Sequence, residues 1–279
     1  MPARAVPLLV LGGTGRLGGA LRDFWPFALK GGLRPIWQAR DARPMYLHWD
    51  ILHEPAPPWA YGVVLCLAGG RGDPDPNTAL ALRTLEAAAA QGAAHVFIAS
   101  SAAVYGPGRA LNEDAAPAPV ADYGRSKAAM EAAALDWHAR HGGPGLTLLR
   151  IGNVAGADAL LGRMHTGPVV LDPTPDGEGP RRSYIGPVTL SAVLARLATL
   201  AVEGAALPPI LNIATPLPIA MSALLTAAGL DWHFGPDNPD VLPEVSLNTA
   251  RLQALIRLPP QAGHPRTLVS EWRQWQGAT

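Results

Sequence analysis

The chain has 279 residues, of which 48% are hydrophobic and 16% are charged, so it can bury a sizeable core and is not a largely disordered chain. Its 22 basic and 22 acidic residues give a formal net charge of zero, which argues against a dedicated nucleic-acid-binding protein. The single cysteine, Cys66, excludes an internal disulfide and any zinc site that needs two thiolates.

The sequence also lacks the signals that are typical of several other classes of protein. No apolar run reaches the ~18–20 residues of a membrane span, and residues 1–10 lead directly into a strand-like run without a signal-peptide pattern. We therefore expect a cytoplasmic protein that does not bind membranes. The histidines form no metal-binding pattern, so no metal site is predicted. The absence of G-x-S-x-G and Walker motifs argues against hydrolase and phosphoryl-transfer chemistry.

The first half of the chain alternates short apolar runs with helical patterns. Unbroken apolar strands separated by helices are typical of a parallel sheet that is buried on both faces. We therefore predict a doubly wound, Rossmann-like α/β domain over residues 1–153. The predicted strands are 6–11, 34–38, 62–67, 94–100 and 146–151, and the predicted helices between the last three are 77–90 and 123–141.

Residues 154–279 differ from the first half in composition and pattern. They predict a small, mixed substrate-binding lobe with segments that return to the sheet. Its first part, residues 156–180, is rich in glycine, proline and aspartate and is expected to be irregular. Because ligands of doubly wound folds bind at the carboxyl edge of the sheet, this lobe is expected to cover that edge. Helices are predicted at 187–202, 220–228 and 268–275, with a strand at 210–213.

A glycine-rich turn follows the first predicted strand. Gly12, Gly15 and Gly18 have the spacing G-x-x-G-x-x-G, and the same segment also fits G-x-G-x-x-G. Glycines between a strand and a helix let backbone N–H groups approach a pyrophosphate at the helix N-terminus. The turn therefore predicts a dinucleotide-binding site, although the motif alone also fits a tight turn without a ligand.

A second group of residues suggests acid/base chemistry. Tyr123 and Lys127 lie four residues apart at the start of a predicted helix, so both side chains project from one face. A phenol is a poor base at neutral pH, and a neighbouring ammonium favours its ionised form. Lys127 is one of only two lysines among the 22 basic residues, the other being Lys30. A surface tyrosine–lysine pair without a catalytic role remains the alternative.

Together these motifs carry a resemblance to a known family. Residues 100–106 (SSAAVYG) and 123–127 (YGRSK), combined with the glycine turn, resemble the extended short-chain dehydrogenase/reductase superfamily. The NAD-dependent epimerase/dehydratase branch is the most similar. The agreement runs from about residue 6 to residue 213, and more loosely to residue 275.

The resemblance implies a role for each matching residue. Tyr123 would be the acid/base, Ser101 would hydrogen-bond the reacting hydroxyl or carbonyl, and Lys127 would hold the nicotinamide ribose. Asn153 and Arg182 would bind the diphosphate of a substrate. The cofactor-binding residues implied by the family are Gly12, Gly15, Arg16, Leu17, Gly18, Arg40, Asp50, Ile51, Ala68, Asn77, Tyr123 and Lys127.

The cofactor is expected to be NADP or NAD, with NADP slightly favoured. Enzymes of this fold that use NAD usually end the second strand with an acidic residue that pairs with the ribose hydroxyls. Here no Asp or Glu ends that strand, and Arg40 and Arg16 are suited to a 2′-phosphate. Asp41 is the opposing observation, because a shift of one residue would place it at the ribose.

The prediction is an NAD(P)-dependent oxidoreductase or epimerase that acts on a small molecule, a sugar or nucleotide sugar. A dehydratase is disfavoured, because Ala102 and Ala103 stand where that branch carries acidic residues. A reductase of a smaller carbonyl compound and a non-catalytic dinucleotide sensor remain as alternatives. A shortened lobe and the absence of the family's aspartate at residues 186–189 are compatible with a smaller substrate or a more open site, so a sugar-nucleotide epimerase is only slightly favoured over such a reductase. A homodimer is compatible with the sequence.

Overall fold

The computed structural model describes residues 5–28, 32–58, 61–70 and 76–278, so Lys30 lies outside the described residues. The strands are β1 (Val6–Leu11), β2 (Leu33–Ala39), β3 (Leu47–His48), β4 (Val63–Cys66), β5 (His95–Ser101), β6 (Gly108–Leu111), β7 (Gly145–Ile151), β8 (Asn153–Val154), β9 (Val169–Leu171), β10 (Arg181–Ile185), β11 (Ile210–Ile213), β12 (Pro218–Ala220), β13 (Trp232–Phe234) and β14 (Glu244–Leu247). The α-helices are α1 (Arg16–Ala28), α2 (Asn77–Ala90), α3 (Asp122–His141), α4 (Pro187–Val202), α5 (Met221–Ala228), α6 (Ala250–Leu255) and α7 (Pro265–Ala278).

The main sheet has the order β11-β7-β5-β4-β1-β2-β3. Strands β3, β2, β1, β4 and β5 pair in parallel, with β1 between β2 and β4. The apolar runs of β1, β4 and β5 are almost completely buried, as expected for strands covered on both faces. The predicted doubly wound, Rossmann-like α/β fold is confirmed.

One hydrophobic core joins this sheet to two helices. Alanines and leucines of α2, with Met130 and Ala134 of α3, pack against inward-facing residues of β1, β4 and β5. The small alanine side chains let α2 and α3 lie close together on the same face. The positions of both helices on this core fix where their N-terminal residues lie.

A second set of strands pairs in the order β12-β10-β14-β6, and β8 also pairs with β10. Another pair, β9 with β13, includes residues 169–171 of the segment expected to be irregular. The partner of β9 lies about sixty residues later in the chain, so a local pattern does not reveal this strand. A separate core, built around Tyr184, Leu224, Leu225 and Leu268, supports these elements.

The chain divides into two compact units that are interleaved along the sequence. The first unit comprises Met1–Val104, Pro119–Arg150 and Ser191–Leu211, and the second comprises Tyr105–Ala118, Ile151–Leu190 and Asn212–Thr279. None of the helices described combines the length and apolar character that a membrane span requires.

Candidate active site

The glycine turn connects β1 to α1 in the first unit. Gly12 has a φ of 77°, and a Cβ atom at this position would lie 2.7 Å from the backbone nitrogen of Ala68. Gly18 packs against the backbone of Gly12 and Gly13, where a side chain would collide. Both positions therefore require glycine, one for its backbone conformation and both for close approach.

The N-terminus of α1 is suited to an anion. The helix begins at Arg16 and carries no acidic residue in its first turn. No carboxylate of that turn therefore repels an anion at the positive end of the helix dipole. Thr14, Gly15 and Arg16 are exposed, and Leu17 is half-buried. The turn fits a pyrophosphate, because its backbone can be approached without side-chain obstruction.

Gln38, at the end of β2, fixes the turn from one side. Its Oε1 accepts a hydrogen bond from the Gly12 backbone N–H at 2.9 Å, and its Nε2 donates to the Trp49 carbonyl at 2.5 Å. Its own carbonyl accepts a bond from the Gly13 N–H at 3.0 Å. This role of Gln38 was not predicted, and its signal in the sequence is a polar side chain directly after the apolar residues 35–37.

The loop after β4 connects the glycine turn to the second motif. Ala68 touches Gly12, and a Cβ at the next residue, Gly69, would lie 2.8 Å from Asn77 Oδ1 and 3.2 Å from Lys127 Nζ. Asn77 Nδ2 donates to the Gly70 carbonyl at 2.9 Å, so it holds this loop in place. The structure thus brings the predicted residues Gly12, Ala68, Asn77 and Lys127 into one connected arrangement.

Lys127 is buried, with only 4% of its surface exposed. Its Nζ donates to the carbonyl of Ala99 at 2.9 Å, which fixes the ammonium at the carboxyl end of β5. Tyr123 lies one turn earlier on α3 and is half-buried. Ser101 ends β5, and its Oγ accepts a hydrogen bond from the Ala103 N–H at 3.1 Å. The motif residues therefore sit on adjoining ends of α3 and β5.

Asp50 and Arg40 lie in the segments that follow β3 and β2. The Asp50 carboxylate accepts a bond from the Leu52 N–H at 3.1 Å and contacts His53 Nδ1 at 3.0 Å. The hydrogen bond with His53 is the largest effect that lowers the pKa of Asp50. Ile51 is buried, whereas Arg40 is exposed directly after β2. No described contact joins Asp50 or Arg40 to the glycine turn.

The predicted substrate residue Asn153 lies in the second unit, in β8. Its side chain hydrogen-bonds to Tyr184, and the Tyr184 hydroxyl donates to Asp158 Oδ2 at 3.1 Å. Burial raises the pKa of Tyr184 well above its ordinary value and also raises the pKa of Asp158. Asn153 is therefore half-buried in a polar cluster around the buried Tyr184.

The other predicted substrate residue, Arg182, lines a cavity of about 650 Å³ in the same unit. Its Nη1 donates to the carbonyls of Arg181 at 2.7 Å and Leu242 at 2.9 Å, and burial lowers its pKa. Polar or charged side chains at this cavity are Arg163, His165, Thr166, Asp172 and Arg182. Asn153 does not line this cavity, so the two predicted residues have different surroundings.

A further buried group lies below the motif residues of α3. Glu131 forms an ion pair with Arg150 of β7, with 2.7 Å between Oε2 and Nη2, and accepts a bond from the Ser100 hydroxyl at 2.5 Å. This pair was not predicted, although Glu131 follows Lys127 by one turn. Within the described parts of the chain, no cluster of histidine, cysteine, aspartate or glutamate is arranged to hold a metal ion.

Comparisons with known proteins agree with this architecture. Residues 74–168 match the model of the NAD dependent epimerase/dehydratase family. No curated protein matches the chain significantly in sequence. The segment matched by the family model contains Asn77, Ser101, Tyr123, Lys127 and Asn153.

Solved structures with the same fold cover almost the whole chain. UDP-glucose 4-epimerase from Brucella ovis, in complex with NAD, has a TM-score of 0.77 and 21% identity, covering 97% of this chain and 98% of its own. An NAD-dependent NDP-hexosamine 5,6-dehydratase involved in tunicamycin biosynthesis has a TM-score of 0.76 and 17% identity, covering 98% of both chains. UDP-glucose 4-epimerase from Thermus thermophilus, also in complex with NAD, has a TM-score of 0.68 and 23% identity, covering 96% of this chain and 99% of its own.

The match over residues 74–168 shows that this part of the chain is similar to the NAD dependent epimerase/dehydratase family, in agreement with the resemblance carried by the sequence motifs. The solved structures show the same fold over almost the whole chain.

Proposed function

We propose that this protein uses a nicotinamide dinucleotide to move a hydride at a secondary alcohol or carbonyl carbon of a sugar nucleotide. The observation that carries the proposal is the position of the Lys127 ammonium, which lies against Gly69 and one helical turn from Tyr123. Gly69 adjoins Ala68, which touches the glycine turn at Gly12. A dinucleotide bound along this line would extend from the turn to the motif residues.

The roles of the side chains follow from their chemistry. The nicotinamide ring, when bound, accepts or supplies the hydride. Tyr123 would remove the proton from the substrate hydroxyl during oxidation and return it during reduction. Ser101 would hydrogen-bond the same oxygen, and the buried Lys127 would hold the nicotinamide ribose.

For the cofactor, we propose a preference for NADP over NAD. Arg40 and Arg16 are both exposed, and no acidic residue ends β2. Asp41, the residue that would favour NAD, is exposed and lies 3.9 Å from Arg43. Guanidinium groups bind phosphate oxygens through paired hydrogen bonds, so exposed arginines suit a 2′-phosphate.

The cofactor preference is tested by titrating NADP⁺ and NAD⁺ against the intrinsic tryptophan fluorescence. We expect NADP⁺ to bind more tightly and Arg40→Ala to weaken NADP⁺ binding alone. Arg34→Ala is the matched control, since Arg34 is exposed on β2, the strand that Arg40 directly follows. Tighter binding of NAD⁺ that Arg40→Ala leaves unchanged would contradict the preference.

For the substrate, we propose a sugar linked to a nucleoside diphosphate. Arg182 lines the cavity of the second unit together with Arg163 and His165, and these groups suit a diphosphate. Burial disfavours the charged form of Arg182, and a bound anion would offset that cost. The similar solved structures include enzymes whose names specify UDP-glucose and an NDP-hexosamine, which supports the same substrate class.

The substrate proposal is tested with the cofactor-loaded protein. Calorimetry with UDP and dTDP is expected to detect binding, and incubation with UDP-hexoses is expected to yield the epimeric sugar without accumulation of reduced cofactor. Accumulation of reduced cofactor would instead indicate a dehydrogenase. If neither nucleotide binds and a smaller carbonyl compound is reduced, the sugar-nucleotide proposal is wrong and the protein is a reductase of smaller substrates.

A further inference from the structure

The ion pair between Glu131 and Arg150 is almost inaccessible to solvent. The two side chains are 3% and 2% exposed, and the guanidinium contacts both carboxylate oxygens through Nε, at 3.1 and 3.2 Å, and Oε2 also through Nη2. Ser100 adds a third connection by donating its hydroxyl proton to Glu131 Oε1 at 2.5 Å. One carboxylate on α3 is thereby bound to a residue of β7 and a residue of β5.

This network is adjacent to the proposed active-site residues on both α3 and β5. Glu131 is four residues after Lys127 and eight after Tyr123, so the three side chains share one side of α3 at successive turns. On β5, the carbonyl of Ala99 binds Lys127, and the next residue, Ser100, binds Glu131. Two polar contacts one helical turn apart therefore fix the register of α3 against β5.

Stability alone is a weak explanation for such a pair. Transferring two charged groups from water to the interior costs about as much as their attraction returns, and well-packed apolar replacements are often as stable. A directional network of a guanidinium, a carboxylate and a hydroxyl does, however, restrict the relative position of its elements to one geometry. An apolar contact of equal area would allow α3 to shift along the strand.

We propose that Glu131, Arg150 and Ser100 form a positioning network that fixes Tyr123 and Lys127 relative to Ser101 and the cofactor. This inference rests on the proposed function, because it assigns the network to the same reaction. None of the three residues is proposed to touch the substrate. They act through Lys127 and Tyr123 by holding α3 in register.

The test replaces the whole network, because Glu131→Gln alone would leave the Arg150 charge buried without its partner and is expected to impair folding. A triple variant, S100A/E131L/R150M, removes all three side chains of the network together, so that neither the carboxylate nor the guanidinium stays buried without the other. D136L/R140M is the matched control, since it deletes an exposed ion pair near the other end of the same helix.

Unfolding midpoint, the dissociation constant of NADP⁺, KM and kcat are measured for each protein. For the triple variant we expect a cooperative unfolding transition, an NADP⁺ dissociation constant about tenfold higher, and kcat about 100-fold lower at unchanged KM, because small displacements of reacting groups have large effects on rate. A purely structural network would change the midpoint alone. A folded triple variant with wild-type affinity and kcat would overturn the proposal.

If the triple variant does not fold, Ser100→Ala decides the question, because it removes one small hydroxyl. A weaker affinity for NADP⁺ and a lower kcat would support the network, and unchanged values would overturn it. Failure of the proposed function is distinguishable from failure of the network. Wild-type protein that binds NADP⁺ but converts no sugar nucleotide refutes the substrate, while the affinities still test the network. Wild-type protein that binds neither NADP⁺ nor NAD⁺ would overturn both.

Discussion

Polar side chains are organised differently around the motif residues of the first unit and around the cavity of the second. Gln38, Lys127 and Glu131 are almost fully buried, and each is hydrogen-bonded to a residue outside its own helix or strand. At the cavity, Arg163 and His165 are exposed. Buried, cross-linked groups keep one geometry, whereas exposed ones adapt to a ligand. The proposed function assigns the reaction to the first unit and the binding of the substrate diphosphate to the second.

The largest effect is expected at the proposed acid/base. Tyr123→Phe should lower kcat by ~10²–10⁴-fold, because proton transfer at the substrate oxygen is lost, while the affinity for cofactor persists. Steady-state rates and fluorescence titration measure the two quantities. Tyr61→Phe is the control, since the buried Tyr61 hydroxyl has no partner among the described residues and should be dispensable. A Tyr123→Phe enzyme of normal kcat would refute the assignment.

A second effect concerns the pH dependence of the stability of the first unit. Burial, with a smaller effect from His138, lowers the pKa of His95 to about 4. His95 Nε2 lies 3.0 Å from Thr147 Oγ1, which itself donates to the Pro208 carbonyl. In the unfolded chain, the His95 imidazole binds a proton near pH 6.5, whereas in the folded protein it stays neutral down to about pH 4. The free energy of unfolding therefore falls as the pH drops from about 6.5 to about 4.

The loss attributable to His95 is expected to reach roughly 3 kcal/mol at pH 4. Urea unfolding at several pH values measures it. His95→Gln keeps a donor toward Thr147 but does not titrate, so it should flatten this part of the profile. His233→Gln replaces an exposed histidine and should leave the profile unchanged. An equally steep profile in both variants would show that His95 is not responsible.

At the cavity of the second unit, neighbouring arginines offer a direct comparison. Arg182 lines the cavity, whereas Arg181 pairs with Asp176 and Glu178. Arg182→Ala should weaken UDP binding by about 10- to 100-fold, in line with the loss of a charge-assisted hydrogen bond. Arg181→Ala should have little effect, as calorimetry would reveal. Equal losses in both variants would indicate a general electrostatic effect and not a site at Arg182.

The smallest expected effect is on the stability of the second unit. Glu271 of α7 accepts bonds from the Thr189 N–H at 2.9 Å and the Thr189 hydroxyl at 2.6 Å, at the N-terminus of α4. This carboxylate lies beside residues 186–189, the segment in which the family's aspartate is missing. Glu271→Gln should lower the free energy of unfolding by about 1 kcal/mol, through loss of charge at the helix N-terminus. An unchanged urea midpoint would contradict this role.

The local patterns identified most of the main sheet and its helices. The predicted helices 77–90 and 187–202 have the observed bounds of α2 and α4, and α3 begins one residue earlier than predicted. The last helix is longer than expected, because it begins at Pro265, where the fixed φ of proline suits the first helical turn. Strands β6, β10 and β14 were not predicted, because their sequences lack the continuous apolar run that marks β1 and β4.

The glycine turn, the parallel strands and the one-turn separation of Tyr123 and Lys127 can be predicted from local sequence patterns. These features depend on backbone sterics, apolar runs and helical periodicity, all of which act between neighbours in the chain. The folded chain alone reveals that Gln38 holds Gly12, that Gly69 approaches Lys127, and that Glu131 pairs with Arg150. Such contacts join residues that are far apart in the chain, and their energies depend on which surfaces the folded core brings together.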